Sequence, residues 1–168
     1  VVAVTGSLGS SAGGVRILQD KTGTLPSCQG LIESHTRPRP QIDTGVWLAK
    51  HGIKCAIDIS DGLLSDLGHI CEASRVGADI KINTLPVTSD LKSVFPTDWE
   101  ELSLTGGEDY QLIFTGEKRL IDEAISSLET PISIIGQITD DYPEINVLNS
   151  KGVVGRYTSS GFDHFKNK

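Results

Sequence analysis

The sequence predicts an α+β fold, a layered α/β/α sandwich around a mixed sheet. Short apolar, β-branched runs interleave with amphipathic segments of helical spacing, and they lack the strict strand–helix–strand regularity of a parallel fold. The chain has 168 residues and no internal repeat or interdomain linker, so residues 1–168 read as a single domain, too short for two full-size cores.

The elements follow in order. Val1 to Thr5 is apolar and β-branched and stops at Gly6, a strand; Ser10 or Ser11 then caps a helix over Val15, Ile17 and Leu18. Gly6 to Gly14 lacks the lysine of a P-loop and the spacing of a dinucleotide fingerprint, and reads as a strand-to-helix turn. Lys21 to Pro26 is a loop and Ser27 to Ser34 a short helix, halted by Arg37-Pro38-Arg39-Pro40. Thr44 to His51 is helical, with Gly52 as its stop. Cys55 to Ile59 reads as a buried strand, and Ser60-Asp61-Gly62 leads into a helix with apolar Leu63, Leu64, Leu67, Ile70 and Cys71. Ala78 to Ile82 is strand-like, Leu85-Pro86 breaks it, and Ser89 to Leu102 holds one or two short helices. A strand over Tyr110 to Thr115 precedes a helix over Leu120 to Leu128. Ile132 to Ile138 and Ile145 to Leu148 are strands, separated by a turn at Asp140 to Pro143.

Composition removes several functions. Fifteen Lys and Arg against 22 Asp and Glu give a net charge of −7, which opposes a broad nucleic-acid surface. An anionic small ligand would need a divalent cation between itself and the protein. Apolar runs of a few residues cannot span a bilayer. Cys28, Cys55 and Cys71 form neither an even set nor a CxxC pair, which favours a reducing compartment, by default the cytoplasm. Residues 1–14 lack the basic and long apolar regions of a signal peptide, and a strand that begins at residue 1 predicts a chain cut from something longer.

Three constellations could carry chemistry. Asp58-Ile59-Ser60-Asp61-Gly62 puts two carboxylates and a hydroxyl where a strand turns into a helix. Alternation places Asp58 and Ser60 on one face, with Asp61 beside free backbone N–H groups. Such hard oxygen donors suit Mg²⁺, although Asp61 or Ser60 also suits an N-cap. Asp58 interrupts an apolar strand, and a buried carboxylate needs a cationic or metallic partner; Asp66, off the apolar stripe, reads as a solvated charge. In Thr105-Gly106-Gly107-Glu108-Asp109-Tyr110 the glycines permit close approach by a ligand and the acids would reach it; a glycine turn with surface acids reads equally well. In the tail, Phe162 and Phe165 bracket Asp163-His164, suited to stacking on a ligand or to packing the terminus. His35, His51, His69 and His164 show no ligand spacing, and His164 reads as structural.

In this order Val4-Thr5-Gly6, His35 with Arg37-Pro38-Arg39-Pro40, Asp58 to Asp66, Gly106 to Leu112, Ile135-Gly136 and Gly161 to Phe165 resemble the C-terminal domain of the thiamine-monophosphate kinase family. That family is related to aminoimidazole ribonucleotide synthetase and selenophosphate synthetase, and the resemblance covers nearly the whole chain. It implies the C-terminal domain fold of the aminoimidazole ribonucleotide synthetase-like type and ATP-dependent phosphorylation of thiamine monophosphate to thiamine diphosphate, with several Mg²⁺ ions at a two-domain junction. On the family pattern Asp58 and Asp61 match metal ligands, Ser60 an ATP contact, and Glu108 and Phe162 substrate contacts; no position matches a group that performs the chemical step. Ser10 stands where the family often has Asp, and Gly13 where it often has Ala. The resemblance also implies a missing N-terminal domain that supplies most metal-binding aspartates, much of the nucleotide site and a homodimer interface, so the chain alone is expected to be inactive. Rival readings are another ATP-dependent enzyme of the same superfamily and a non-catalytic acidic binding domain.

Overall fold

A computed structural model describes residues 1–20, 26–149, 151–152 and 154–155. The expected loop over Lys21 to Pro26 therefore lies largely outside the described residues, as does the aromatic tail with Phe162 and His164.

Seven strands form one mixed sheet in the order β2-β4-β1-β5-β3-β6-β7. They are β1 (Val2–Thr5), β2 (Cys55–Asp58), β3 (Gly77–Lys81), β4 (Leu112–Thr115), β5 (Ile132–Thr139), β6 (Ile145–Leu148) and β7 (Val154–Gly155). All pairings are antiparallel except β3 with β6. The helices are α1 (Ser10–Asp20), α2 (Pro26–Thr36), α3 (Ile42–Lys50), α4 (Leu63–Ser74), α5 (Ser89–Val94), α6 (Trp99–Thr105) and α7 (Lys118–Ser127).

Strand β1 is apolar without alternation because both its faces are covered. Val2 and Val4 join Ile113 and the apolar stripe of α4, Leu63, Leu67 and Ile70, in one core. Ala3 faces the other way and packs with Phe114, Leu48 of α3, and Ile121 and Ala124 of α7. Helices thus cover both sheet faces, the α/β/α layering expected from the sequence. A third cluster, Ile17, Cys28, Leu31 and Leu91, joins α1, α2 and α5 beside the sheet. Burying one such Leu or Phe contributes about 1.5–3 kcal/mol. No helix among the described residues is long and apolar enough to cross a membrane.

Two expectations need correction. The segment Cys55 to Ile59 is not a fully buried strand: among the described residues β2 lies at the sheet edge and pairs only with β4, and it alternates, with Cys55 and Ile57 half-buried and Ala56 and Asp58 exposed. With no second neighbour strand among the described residues to cover it, Asp58 stands exposed and is not a buried carboxylate in need of rescue. Nor do Ser10 and Ser11 cap α1 with their side chains. The Asp109 carboxylate accepts from the N–H groups of Gly9 at 2.6 Å and Ser11 at 3.1 Å, while the Ser10 hydroxyl is buried without a partner among the described residues.

Candidate active site

The site grows from the end of the β2–β4 ladder. The Ile59 N–H donates to the Gln111 carbonyl at 2.7 Å, after which the chain turns toward α4. The facing loop follows it: Tyr110 N–H donates to the Ile59 carbonyl at 2.9 Å and Glu108 N–H to the Ser60 carbonyl at 2.8 Å. The two motifs meet backbone to backbone. Gly107 makes this possible, since a Cβ there would stand 2.5 Å from the Ser60 oxygen. That glycine therefore admits the protein's own chain, where the sequence pointed to a ligand.

Asp66 gathers the turn that precedes α4. Its Oδ2 accepts from the N–H groups of Ser60 at 3.0 Å, Asp61 at 3.1 Å and Gly62 at 3.1 Å. It is buried, contrary to the expected solvated charge, because three residues after Leu63 it still faces inward and back over the preceding turn. Burial pushes its pKa up and the three donors pull it back only in part. Ligand atoms of Asp61, Asp66 and His69 lie within 4.8 Å of one another. Asp58 is not a member of that group; it sits exposed at the strand's end, and neither Asp58 nor Asp61 forms an ion pair among the described residues. The donors that the structure brings together are thus two carboxylates and an imidazole, a set that could hold a divalent cation, and they include Asp61 and His69, the latter without ligand spacing in the sequence, but not Asp58.

The adjacent acids Glu108 and Asp109 point to different places. Glu108 has φ +62° and Tyr110 φ +49°, a left-handed kink that few side chains adopt without support. Glu108 is exposed, and its Oε2 lies 3.4 Å from Nδ1 of His35, which also sits 3.1 Å from the Ser11 hydroxyl. Asp109 turns inward to the start of α1. Burial pushes its carboxyl up to about 7, against the pull of the Gly9 and Ser11 N–H groups. Asp109 also lines a polar cavity of about 490 Å³ with Ser7, Arg37, Arg39 and Gln111 among its walls, but Asp58, Ser60, Asp61 and Glu108 lie outside it. Among the described residues this cavity and the acidic loop do not coincide, and the loop is the better candidate because Asp58 and Asp61 form no ion pair there.

Asp66, Asp109 and His35 all stand in motifs visible in the sequence, but what they hold was not legible there. For Asp66 a signal existed, since its spacing from Leu63 and Ile70 lies at the border of the apolar stripe. His35 and Asp109 act through partners distant in the chain, which no local pattern records.

Residues 1–147 match the family described as AIR synthase related protein, C-terminal domain. The chain belongs to that family. Over 98% of its length this AIR synthase related domain is 40% identical to a thiamine-monophosphate kinase of Buchnera aphidicola subsp. Schizaphis graminum, of which it covers 52%. The crystal structure of thiamine-monophosphate kinase from Stenotrophomonas maltophilia K279a is similar with a TM-score of 0.81 and 31% identity, over 92% of this chain and 50% of that one. A structure of AaThiL complexed with AMPPCP and TMP also gives a TM-score of 0.81 at 31% identity, over 98% of this chain and 50% of the other. The chain spans about half the length of the relatives it matches.

Proposed function

We propose that this chain is the C-terminal half of an ATP- and Mg²⁺-dependent thiamine-monophosphate kinase, forming thiamine diphosphate once joined to an N-terminal domain. The observation that carries this reading is the bond from Glu108 N–H to the Ser60 carbonyl, which joins a carboxylate-rich turn to an exposed glutamate in a chain 40% identical to a kinase of that name.

Asp58 and Asp61 would hold Mg²⁺, and Ser60 would contact ATP. A divalent ion bound there would supply the positive charge that lets the acidic chain accept a phosphate ligand. Glu108 binds the thiamine end, its carboxylate pairing with the cationic thiazolium or accepting from the aminopyrimidine, and Phe162 stacks on a ring. Asp66 keeps the 60–62 turn in shape through its three N–H bonds, so Ser60 and Asp61 are presented on a preformed loop. In phosphoryl transfer the protein mainly positions groups and balances charge, and these residues supply both. The reading includes a homodimer built through the N-terminal domain and a cytoplasmic location, the latter supported by three free cysteines.

A substrate panel tests it. The full-length protein should phosphorylate thiamine monophosphate with ATP and Mg²⁺, and the 168-residue chain alone should not. Turnover of a different superfamily substrate, with thiamine monophosphate ignored, would assign the chain to another ATP-dependent enzyme.

A further inference from the structure

We infer that His35 is a positioning residue for Glu108, fixing the carboxylate that meets the substrate; this rests on the substrate role proposed for Glu108. The Glu108 backbone is anchored by its N–H bond to Ser60, but that anchor stops at the Cα. Three rotatable bonds carry the carboxylate into solvent, with 56% of the side chain exposed, and His35 Nδ1 is its one charged or hydrogen-bonding neighbour among the described residues.

His35 is well placed to hold it because His35 itself is held. It lies in the last turn of α2, where the Arg37-Pro38-Arg39-Pro40 segment prevents the helix from continuing. Its Cβ rests against Gly14 of α1: a Cβ on Gly14 would stand 3.1 Å from it and collide with the Leu31 carbonyl. Nδ1 is then fixed by the Ser11 hydroxyl at 3.1 Å. The Glu108 Oε2 at 3.4 Å makes an electrostatic contact with the ring edge and not a hydrogen bond; it favours the tautomer with the proton on Nδ1, which the Ser11 hydroxyl accepts, since a ring lone pair there would face the carboxylate. The imidazole thus restrains Oε2 and leaves Oε1 for the ligand. Without it, substrate binding must order a free glutamate side chain, an entropic cost that falls on affinity and not on the chemical step.

The test uses the intact kinase with H35A, H35N, E108Q and the double variant H35A/E108Q. H35A should raise the KM for thiamine monophosphate about fivefold, with kcat and the KM for ATP nearly unchanged. H35N, whose amide N–H can replace the Nδ1 donor, should recover most of the loss and covers the case in which H35A folds poorly. The double variant should be no worse than E108Q alone, and E108Q should shift the ¹⁵N resonance of His35 Nδ1. An unaltered KM in H35A, a loss that multiplies fully with that of E108Q, or a lowered Tm with normal KM overturns the inference. If E108Q itself leaves the KM for thiamine monophosphate unchanged while the His35 resonance moves, the substrate reading of Glu108 has failed and the inference falls with it; if E108Q raises that KM and H35A does not, only the inference has failed.

Discussion

The carboxylate of Asp66 accepts from the N–H of Ser60 at 3.0 Å, so the first turn of α4 reaches back to hold the residue at the end of the preceding strand. With the Asp61 and Gly62 N–H groups on the same oxygen, D66A should cost about 2–3 kcal/mol, since it strips the acceptor from one buried and two part-buried donors. D66N keeps an acceptor oxygen without a buried charge and should stay within about 1 kcal/mol of the wild type. Denaturant unfolding of the two variants side by side checks the contrast, and equal losses would show that charge, not the acceptor, matters.

Asp109 gives the protein a pH dependence of definite sign. Its carboxyl is raised from 3.8 to about 7 on folding, chiefly by burial. Between those values the unfolded chain releases the proton and the folded chain keeps it, so this group's contribution to stability is full below about pH 4 and falls as pH rises toward 7. The stability of D109N relative to wild type should therefore improve from pH 4 to pH 8. A difference that is flat across that range contradicts the assignment.

Gly107 admits the Ser60 carbonyl where a side chain would stand. G107A should cost about 1–3 kcal/mol, because the obstructing atom is backbone and cannot rotate away. The Glu108 amide, which donates to that carbonyl, should lose protection in hydrogen exchange. Unchanged protection would mean that the loop moves as a unit and the glycine is incidental.

The fold was legible where periodicity is decided locally. The stripe Leu63, Leu67, Ile70 declares α4, and the β-branched run at β1 declares a strand. What the sequence did not reveal was which strand lies at the edge, because strand order is set by pairings such as Ala56 with Phe114, far apart in the chain. Asp58 looked buried for that reason alone. In the site, the acids were visible as types but not as directions: Glu108 and Asp109 are neighbours, and only the left-handed backbone at Glu108 sends one outward and the other to α1. His35 was visible as part of a motif but its contacts were not, because its partners, Ser11 and Glu108, come from two other elements.

Asp58 and Asp61 should separate activity from stability. Neither is engaged in an ion pair among the described residues, so Asn at either position should change folding free energy by no more than about 0.5 kcal/mol. The most direct measurement is the Mg²⁺ dependence of thiamine diphosphate formation from ATP and thiamine monophosphate by the full-length protein, in wild type, D58N and D61N. The predicted result is Mg²⁺-dependent turnover in the wild type and loss of most of it in both variants, with the Mg²⁺ requirement moved to higher concentration and Tm unchanged. Wild-type turnover in both variants at limiting Mg²⁺ would contradict the metal role and return these carboxylates to the surface of a domain whose function lies elsewhere.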